Sequence, residues 1–291
     1  MRDIDVLVND RNIIGESPIY DNKNKVIYWV DIVKKKFYKY DLATKKVNTY
    51  DVGKYDSYLV LDKKGNLLLG MQDGLYRYNF KKDKPQLLGT PPRSYNGYSH
   101  RFNDGKCDAS GRLWAGTTTF YEESDTCGLY KIGSDYKFKP MISNVRVSNG
   151  MGWSPDNTKM YYIDYGKRLV YQFDFNLEKG TLSNRKIFID FKNEFGNPDG
   201  MNVDSKGNLW IAHWLGSRIS VWDNQGKKID QFMFPNRIVT DPLFIGEDLI
   251  VSTATIGYSD KQYKFEQPYA GSLLKIHAGI TGTPTYRFKT S

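Results

Sequence analysis

Short apolar stretches alternate with polar turns along the chain, and the same order of stretches recurs several times. Copies of this pattern begin near Ser17, Leu59, Gly105, Met151 and Met201. Each copy has a short apolar strand, a turn that contains Asp with Gly or Asn, and a second strand that ends in Trp or Tyr; most copies continue into a third strand rich in Tyr and Phe. Strands of this length, separated by such turns, are typical of antiparallel sheets. The pattern therefore predicts an all-β protein.

The aspartates of the turns give the length of the repeat. They are separated by 41, 46, 48 and 48 residues, and they are Asp21, Asp62, Asp108, Asp156 and Asp204. A period of about 40–50 residues with about four strands per unit is typical of a β-propeller. We count six units. The sequence thus predicts a six-bladed β-propeller of four-stranded antiparallel blades, formed by a single domain over residues 1–291.

The last unit has one strand fewer than the others, and the N-terminal segment can supply it. Ile4–Val8 has the pattern of a strand, precedes the first unit and has no partner there. Pairing of this strand with the last unit would close the ring and remove its open sheet edges, which are the sites of edge-to-edge aggregation. We therefore expect the N-terminal strand to close the propeller.

Charge and composition narrow the choice of partners. The formal net charge is +9, but the lysines lie in turns of several units and do not form one basic arm. A solvated surface explains this distribution better than nucleic-acid binding does. The first residues are charged and lack the apolar segment of a signal peptide, and no run of about 18 apolar residues could span a membrane. We expect a cytoplasmic monomer or weak homo-oligomer without nucleic-acid or membrane partners.

Acidic and amide side chains interrupt the repeat where four inner strands begin. They lie in the segments GESP, RFNDG, SNGMG and NPDGM, and they include Glu16, Asn103, Asn149 and Asp199. Each segment on its own is an ordinary turn sequence. Because the inner strands of a propeller line its channel, the four side chains should converge at one channel mouth. Carboxylate and amide oxygens suit Ca²⁺, Mg²⁺ or Mn²⁺ and can also hold Zn²⁺ or Fe²⁺, so the pattern predicts a site for a metal ion or another ligand at this mouth.

Longer segments around these residues resemble a known family. The segments RFNDGKCDASGRLWAGT, SNGMGWSPDNTKMYYIDYG and NPDGMNVDSKGNLWIAHW are similar to motifs of the gluconolactonase family, which includes regucalcin and bacterial sugar lactonases. The segment GESPIYDNKNKVIYWVDI resembles the opening motif of the same family. The resemblance covers nearly the whole chain. It implies a six-bladed propeller with a single divalent metal ion at the channel mouth.

The resemblance also implies roles for individual residues. The metal ligands of the family fall on Glu16, Asn149 and Asp199, and its substrate-binding residues fall on Arg101 and Asn103. Asp199 is in addition the expected catalytic base, which takes a proton from the attacking water. The implied activity is metal-dependent hydrolysis, in which a sugar lactone is opened to an aldonic acid.

One departure from the family pattern concerns the substrate. Where regucalcin-like members have a Glu soon after the segment AGT, this chain has Tyr121, followed by Glu122 and Glu123. We expect Tyr121 to bind substrate in this position. Its bulk and its lack of charge should then shift the preference among sugars without removing activity.

Two other functions remain open from the sequence. The same scaffold could hydrolyse other esters, lactones or phosphotriesters, and a regucalcin-like calcium-binding protein without turnover would need the same metal ligands. A scaffold for protein partners would not need carboxylates that converge at a channel mouth, so the acidic residues argue against it.

Overall fold

The repeat found in the sequence corresponds to a ring of similar sheets. The computed structural model of the protein describes residues 3–92, 100–259, 261–262, 267 and 269–290. Within these residues, 24 β-strands form six four-stranded antiparallel sheets, which are the six predicted blades. A short 3-10 helix, Phe191–Asn193, lies between two of the blades. In the described part of the chain, no helix has both the length and the apolar character needed to cross a membrane.

Each blade is built outward from an innermost strand. From blade 1 to blade 6, the innermost strands are β2 (Gly15–Asp21), β6 (Asp56–Leu61), β10 (His100–Cys107), β14 (Ser148–Trp153), β18 (Asn197–Val203) and β22 (Val239–Ile245). The second strands are β3 (Val26–Asp31), β7 (Leu67–Met71), β11 (Leu113–Thr119), β15 (Lys159–Asp164), β19 (Leu209–Trp214) and β23 (Asp248–Thr253). The innermost strand of each blade contacts those of both neighbouring blades, and β22 contacts β2, so the ring is closed around a channel.

The outer half of each blade carries its more exposed strands. The third strands are β4 (Lys36–Asp41), β8 (Gly74–Asn79), β12 (Cys127–Ile132), β16 (Leu169–Asn176), β20 (Arg218–Trp222) and β24 (Leu273–His277). The outermost strands are β5 (Val47–Asp51), β9 (Lys84–Gly89), β13 (Phe138–Val145), β17 (Thr181–Asp190), β21 (Lys228–Met233) and, in blade 6, β1 (Ile4–Val8). Solvent reaches many side chains of these outermost strands, whereas every residue of β3 is buried.

The N-terminal strand closes the ring as predicted. β1 pairs antiparallel with β24, and Ile4 lies opposite Ile276 while Val6 lies opposite Leu274. Blade 6 therefore consists of its three C-terminal strands plus the first strand of the chain, in the order β1-β24-β23-β22. This arrangement joins the two ends of the repeat by backbone hydrogen bonds.

The hydrophobic core lies between the blades. Six clusters of buried side chains each join two neighbouring sheets; the one between blades 1 and 2, for example, includes Val30, Leu59 and Leu69. Burial of such a side chain contributes about 1.5–3 kcal/mol relative to exposure. Because every blade face is covered by a neighbour, stability depends on closure of the whole ring.

The repeated aspartates hold the turns between the first and second strands of the blades. Oδ1 of Asp204 accepts hydrogen bonds from the backbone amides of Lys206 and Asn208, both at 2.9 Å. Its Oδ2 accepts from Nε1 of Trp210 at 3.0 Å, which ties the turn to the next strand. Asp108 makes the equivalent bond with Nε1 of Trp114 at 2.8 Å. The spacing from Asp to Trp in blades 3 and 5 therefore reflects a side-chain hydrogen bond that fixes the turn.

Residues 281–289, here named the C-terminal strap, cross the end of the ring opposite the segments that begin the inner strands. The strap is hydrogen-bonded to blade 5, where the Thr283 amide donates to the Val203 carbonyl at 2.8 Å. It then bonds blade 2, where the Phe288 amide donates to the Leu61 carbonyl at 2.8 Å. Blades 2 and 5 stand opposite each other in a ring of six. The strap therefore ties together two blades that share no sheet or core cluster.

We predict that Phe288→Ala weakens the whole propeller. The Phe288 ring is fully buried and stacks on Tyr136 in the cluster between blades 2 and 3. Truncation of a buried Phe to Ala costs about 3–5 kcal/mol, because it removes apolar contacts and leaves a cavity. Chemical denaturation should show this fall in the free energy of unfolding. Phe195→Ala is the control, since the Phe195 side chain is 61% exposed. An equal loss in both variants would contradict an anchoring role for the strap.

Candidate metal and substrate site

All six innermost strands pair with their second strands through a register that is interrupted near the strand start. The interruptions lie between Glu16 and Ile19, Asp56 and Tyr58, Phe102 and Gly105, Ser148 and Met151, Pro198 and Met201, and Val239 and Pro242. A bulge leaves residues unpaired and turns their side chains away from the regular alternation of a strand. Asn103, Asn149 and Asp199 lie inside three of these bulges, and Glu16 borders a fourth. The bulges therefore direct the predicted side chains into the channel.

A cavity of about 100 Å³ lies at this end of the channel. Five predicted site residues line it, and they are Glu16, Arg101, Asn103, Asn149 and Asp199. Trp214 lines the cavity as well. Residues from blades 1, 3, 4 and 5 thus meet at one place, although they are far apart in sequence.

Hydrogen bonds orient the oxygen atoms of this group. Nδ2 of Asn103 donates to Oδ1 of Asn149 at 2.6 Å and to the Ser148 carbonyl at 3.0 Å. Oε2 of Glu16 accepts from the Ser17 amide at 2.9 Å. The Asn149 side chain also hydrogen-bonds to the Asp199 carboxyl group. Oδ2 of Asp199 is buried and has no hydrogen-bond partner among the described residues, so it is available to a ligand.

The carboxyl groups of the site strongly disfavour each other's charge. Burial raises the pKa of Glu16 well above its ordinary value, and the charges of Asp199, Asp241 and Asp104 raise it further. Burial likewise raises the pKa of Asp199 well above its ordinary value, with further increases from Asp241, Asp104 and Glu122. A cation between Glu16 and Asp199 would relieve this repulsion and favour both ionised forms.

The residues present fit a divalent cation with a preference for oxygen ligands. Two carboxylates and the amide oxygen of Asn149 supply hard donors, and the unpartnered Oδ2 of Asp199 is one of them. The described residues contain no metal-binding group of three His, Cys, Asp or Glu side chains. Glu16 and Asp199 therefore depend on the Asn149 amide as the third protein donor.

Arg101 and Asn103 form the polar side of the cavity. Nη1 of Arg101 donates to the Phe102 carbonyl at 3.0 Å and to Oδ1 of Asn103 at 3.1 Å. Nη2 of Arg101 faces Oε1 of Glu122 at 3.8 Å. The guanidinium group is thus held in a fixed orientation beside the carboxylates, where its donors can reach a substrate oxygen.

The structure does not bring the Tyr121 side chain to the cavity, where its predicted substrate contact would lie. Tyr121 is 88% exposed and does not line the cavity. The next residue, Glu122, has a φ of 57°, so the chain turns there and brings the Glu122 side chain to the cavity instead. Burial raises the pKa of Glu122, and the Arg101 guanidinium opposes that rise. The chain therefore keeps a carboxyl group near Arg101, one residue later than the sequence comparison indicated.

Sequence reasoning missed several walls of the cavity. Ile14, Ile32 and Val147 are apolar, while Tyr165 places a ring beside them and its hydroxyl accepts from Nδ2 of Asn197 at 3.2 Å. These residues lie in the loops that precede or follow blade strands at the same end of the ring. Their position in the repeat could have revealed them, but their residue types are those of ordinary core and turn positions.

Comparisons with known proteins identify the family of the chain and agree with its fold. The family model described as "SMP-30/Gluconolactonase/LRE-like region" matches residues 14–255. A Bacillus subtilis (strain 168) protein assigned as a sugar lactone lactonase, YvrE, is 34% identical over 276 residues, which are 94% of each chain. Regucalcin of Danio rerio is 30% identical over 292 residues and 98% of each chain.

A solved structure shows the same fold. The chain superposes on the calcium-binding protein regucalcin of Agrobacterium tumefaciens str. C58 with a TM-score of 0.91. The match covers 100% of this chain and 98% of that chain, at 23% sequence identity. At this identity the likeness is one of fold.

We predict that the metal-free protein loses stability as the pH rises. Asp and Glu side chains of unfolded chains titrate near pH 4, whereas burial gives Glu16 and Asp199 raised pKa values in the folded protein. At a pH between these values, the folded state binds more protons than the unfolded state. The contribution of the two carboxyl groups to the free energy of unfolding is therefore full below the unfolded pKa and disappears as the pH rises through the folded pKa.

Chemical denaturation in the presence of a chelator, from pH 5 to pH 9, measures how the free energy of unfolding of the metal-free protein depends on pH. Asp199→Asn should flatten the curve, because the variant has one fewer carboxyl group to ionise. Asp135→Asn, at an exposed turn, should leave the slope unchanged. Equal slopes for the wild-type protein and Asp199→Asn would show that Asp199 is not held at a raised pKa.

Proposed function

The chain belongs to the SMP-30/gluconolactonase/LRE-like family, and on that premise we propose that it opens sugar lactones to aldonic acids as a divalent-metal-dependent hydrolase. Lactone hydrolysis is the activity assigned to the Bacillus subtilis relative. One observation of the site carries the proposal: Glu16, Asn149 and Asp199 come from three blades and line one cavity together with Arg101 and Asn103.

The side chains of the site can share the work of lactone hydrolysis. A divalent ion held by Glu16, Asn149 and Asp199 would supply Lewis-acid polarisation of the lactone carbonyl. The Asp199 carboxylate accepts a proton from the attacking water and returns it to the ring oxygen when the bond between the acyl carbon and that oxygen breaks. The Arg101 guanidinium donates a hydrogen bond to the ring oxygen as that oxygen leaves the acyl carbon. Asn103 and Glu122 form hydrogen bonds with substrate hydroxyl groups.

Polar groups in the cavity favour hydroxylated substrates. A site built to hydrogen-bond hydroxyl groups rejects analogues that lack them, because its buried polar groups then remain unpaired. Asn103 and Glu122 present such groups beside Arg101. Hydroxylated five- or six-membered lactones should therefore react faster than plain γ-butyrolactone. The cytoplasmic location and the monomeric or weakly oligomeric state remain predictions.

A second candidate is a hydrolase of less polar esters, lactones or phosphotriesters. The observation in its favour is the apolar wall formed by Ile14, Ile32 and Val147. This wall could hold a hydrocarbon part of a substrate while the carboxylates hold the metal ion. Equal rates on hydroxylated and plain lactones would favour this candidate over the sugar lactonase.

Metal dependence and catalysis can be tested together. The metal-stripped protein should be inactive on a panel of aldonolactones and should regain activity with one of Ca²⁺, Zn²⁺, Mg²⁺, Mn²⁺ or Fe²⁺. Asp199→Ala should lower kcat by about a hundredfold or more in saturating metal, because it removes a ligand and the base. Asn149→Ala should mainly weaken metal affinity. Metal binding without turnover on any lactone or ester would instead support a non-catalytic calcium-binding protein.

The position of Glu122 gives a second test. We expect Glu122→Gln to raise KM for hydroxylated lactones about tenfold, because a hydrogen bond to a charged group contributes about 1.5–3 kcal/mol. Tyr121→Phe is the matched control and should leave KM unchanged, since Tyr121 faces solvent. Steady-state kinetics on the same lactones provide both values. A change in KM for Tyr121→Phe with none for Glu122→Gln would reverse the assignment.

A further inference from the structure

Lys106 reaches across the channel below the metal site. It follows the bulge of β10 in blade 3, and its Nζ donates to the Met201 carbonyl of β18, in blade 5, at 2.7 Å. Blade 4 lies between these two blades in the ring. Met201 is the first paired residue after the bulge that holds Asp199. The Lys106 side chain therefore contacts the strand that positions a proposed metal ligand.

Two further carboxyl groups lie near the Lys106 ammonium group. Asp104 and Asp241 line, with Lys106, a cavity of about 570 Å³ on the side of the channel that the C-terminal strap covers. Asp104 also lines the smaller cavity of the metal site, so it separates the two. Oδ1 of Asp241 is buried and has no hydrogen-bond partner among the described residues. Neither carboxyl group belongs to the proposed metal ligands.

Lys106 is the positive charge that acts on both groups. Burial raises the pKa of Asp104 and of Asp241, and the Lys106 ammonium is the leading influence that lowers each. The nearby Arg101 guanidinium instead faces Glu122. One divalent ion would balance Glu16 and Asp199, which leaves Asp104 and Asp241 with Lys106 alone.

We propose that Lys106 is a built-in counter-cation of the channel, whose ammonium group holds the Met201 strand and takes the place of a second metal ion between Asp104 and Asp241. This inference rests on the proposed function in one respect, which is that the first ion binds at Glu16, Asn149 and Asp199. Lys106 is a positioning residue, since it acts through Met201 and through neighbouring carboxylates.

Removal of the ammonium group should open a second cation position. Lys106→Met keeps an apolar stem of similar length but leaves the Met201 carbonyl, Asp104 and Asp241 without their cation. Carboxylate and carbonyl oxygens with added water are the ligands that Ca²⁺ takes in proteins. Calorimetric titration of the metal-stripped protein with Ca²⁺ should give one ion per wild-type chain and two per Lys106→Met chain.

Two control variants sharpen the titration. Lys106→Arg keeps the positive charge and should bind one ion. Lys131→Met removes another lysine that joins two blades, since Nζ of Lys131 donates to the carbonyl of Gly180 at 2.5 Å. Lys131 lies on the outer part of blade 3, away from the channel. It should bind one ion. A single ion with unchanged affinity in Lys106→Met would overturn the counter-cation role, as would two ions in Lys131→Met.

A measurement without metal separates this inference from the proposed function. In a chelator, Lys106→Met should lower the melting temperature by about 5 °C or more, because it removes the nearby positive charge that favours the ionised forms of Asp104 and Asp241. Adding Asp241→Asn to Lys106→Met should recover at least half of that loss. No recovery would overturn the charge-balancing role even if the wild-type protein binds its ion as proposed. If the double variant recovers its melting temperature but the wild-type protein binds no ion, only the metal-dependent function is refuted and the charge-balancing role of Lys106 stands.

Discussion

Four carboxyl groups lie in one narrow channel, and the rest of the structure must tolerate them. Asp199 and Asp241 are buried there, and Glu16 and Asp104 are partly buried. Burial raises the pKa of all four, and neighbouring carboxylates raise it further for Glu16, Asp199 and Asp241. Carboxylates in such a place need positive charge or protons. A divalent ion at one level of the channel and Lys106 at the next would together supply most of that charge.

The propeller provides the rigid frame that holds these groups in place. Each innermost strand is covered by neighbouring blades, and its bulge turns one or two side chains toward the channel. Pairing of β1 with β24 closes the ring, and the C-terminal strap joins blade 5 to blade 2. A site built from several blades keeps its geometry only while the ring stays closed, so stability and metal binding are linked.

The fold could be predicted from the sequence because its repeat has a local cause. Turn aspartates such as Asp108 and Asp204 bond backbone amides and a Trp at fixed spacing, so the pattern is visible without the structure. The location of Glu16, Asn149 and Asp199 could also be predicted, because polar residues at matching positions of a repeat must converge. Family resemblance then implied their roles, which the proposed experiments test.

Other parts of the site depend on contacts that no local pattern reveals. Glu122 replaces Tyr121 at the cavity because the backbone turns through a positive φ at that residue. Asp241 lies in the blade 6 bulge, within a segment that lacks the Gly and Asn residues of the other motifs. The bond of Lys106 spans 95 residues of sequence. Such features become visible only when the ring brings distant strands together.

Location of the bound ion by anomalous diffraction from crystals soaked in a Mn²⁺ salt is the most direct test of a metal centre at the channel mouth. We expect one strong anomalous peak within about 2.0–2.6 Å of oxygen atoms of Glu16, Asn149 and Asp199. We expect no peak between Asp104 and Asp241, where Lys106 supplies the charge. An ion bound only at another position, or no ion at these three residues in saturating metal, would contradict a metal centre at the channel mouth.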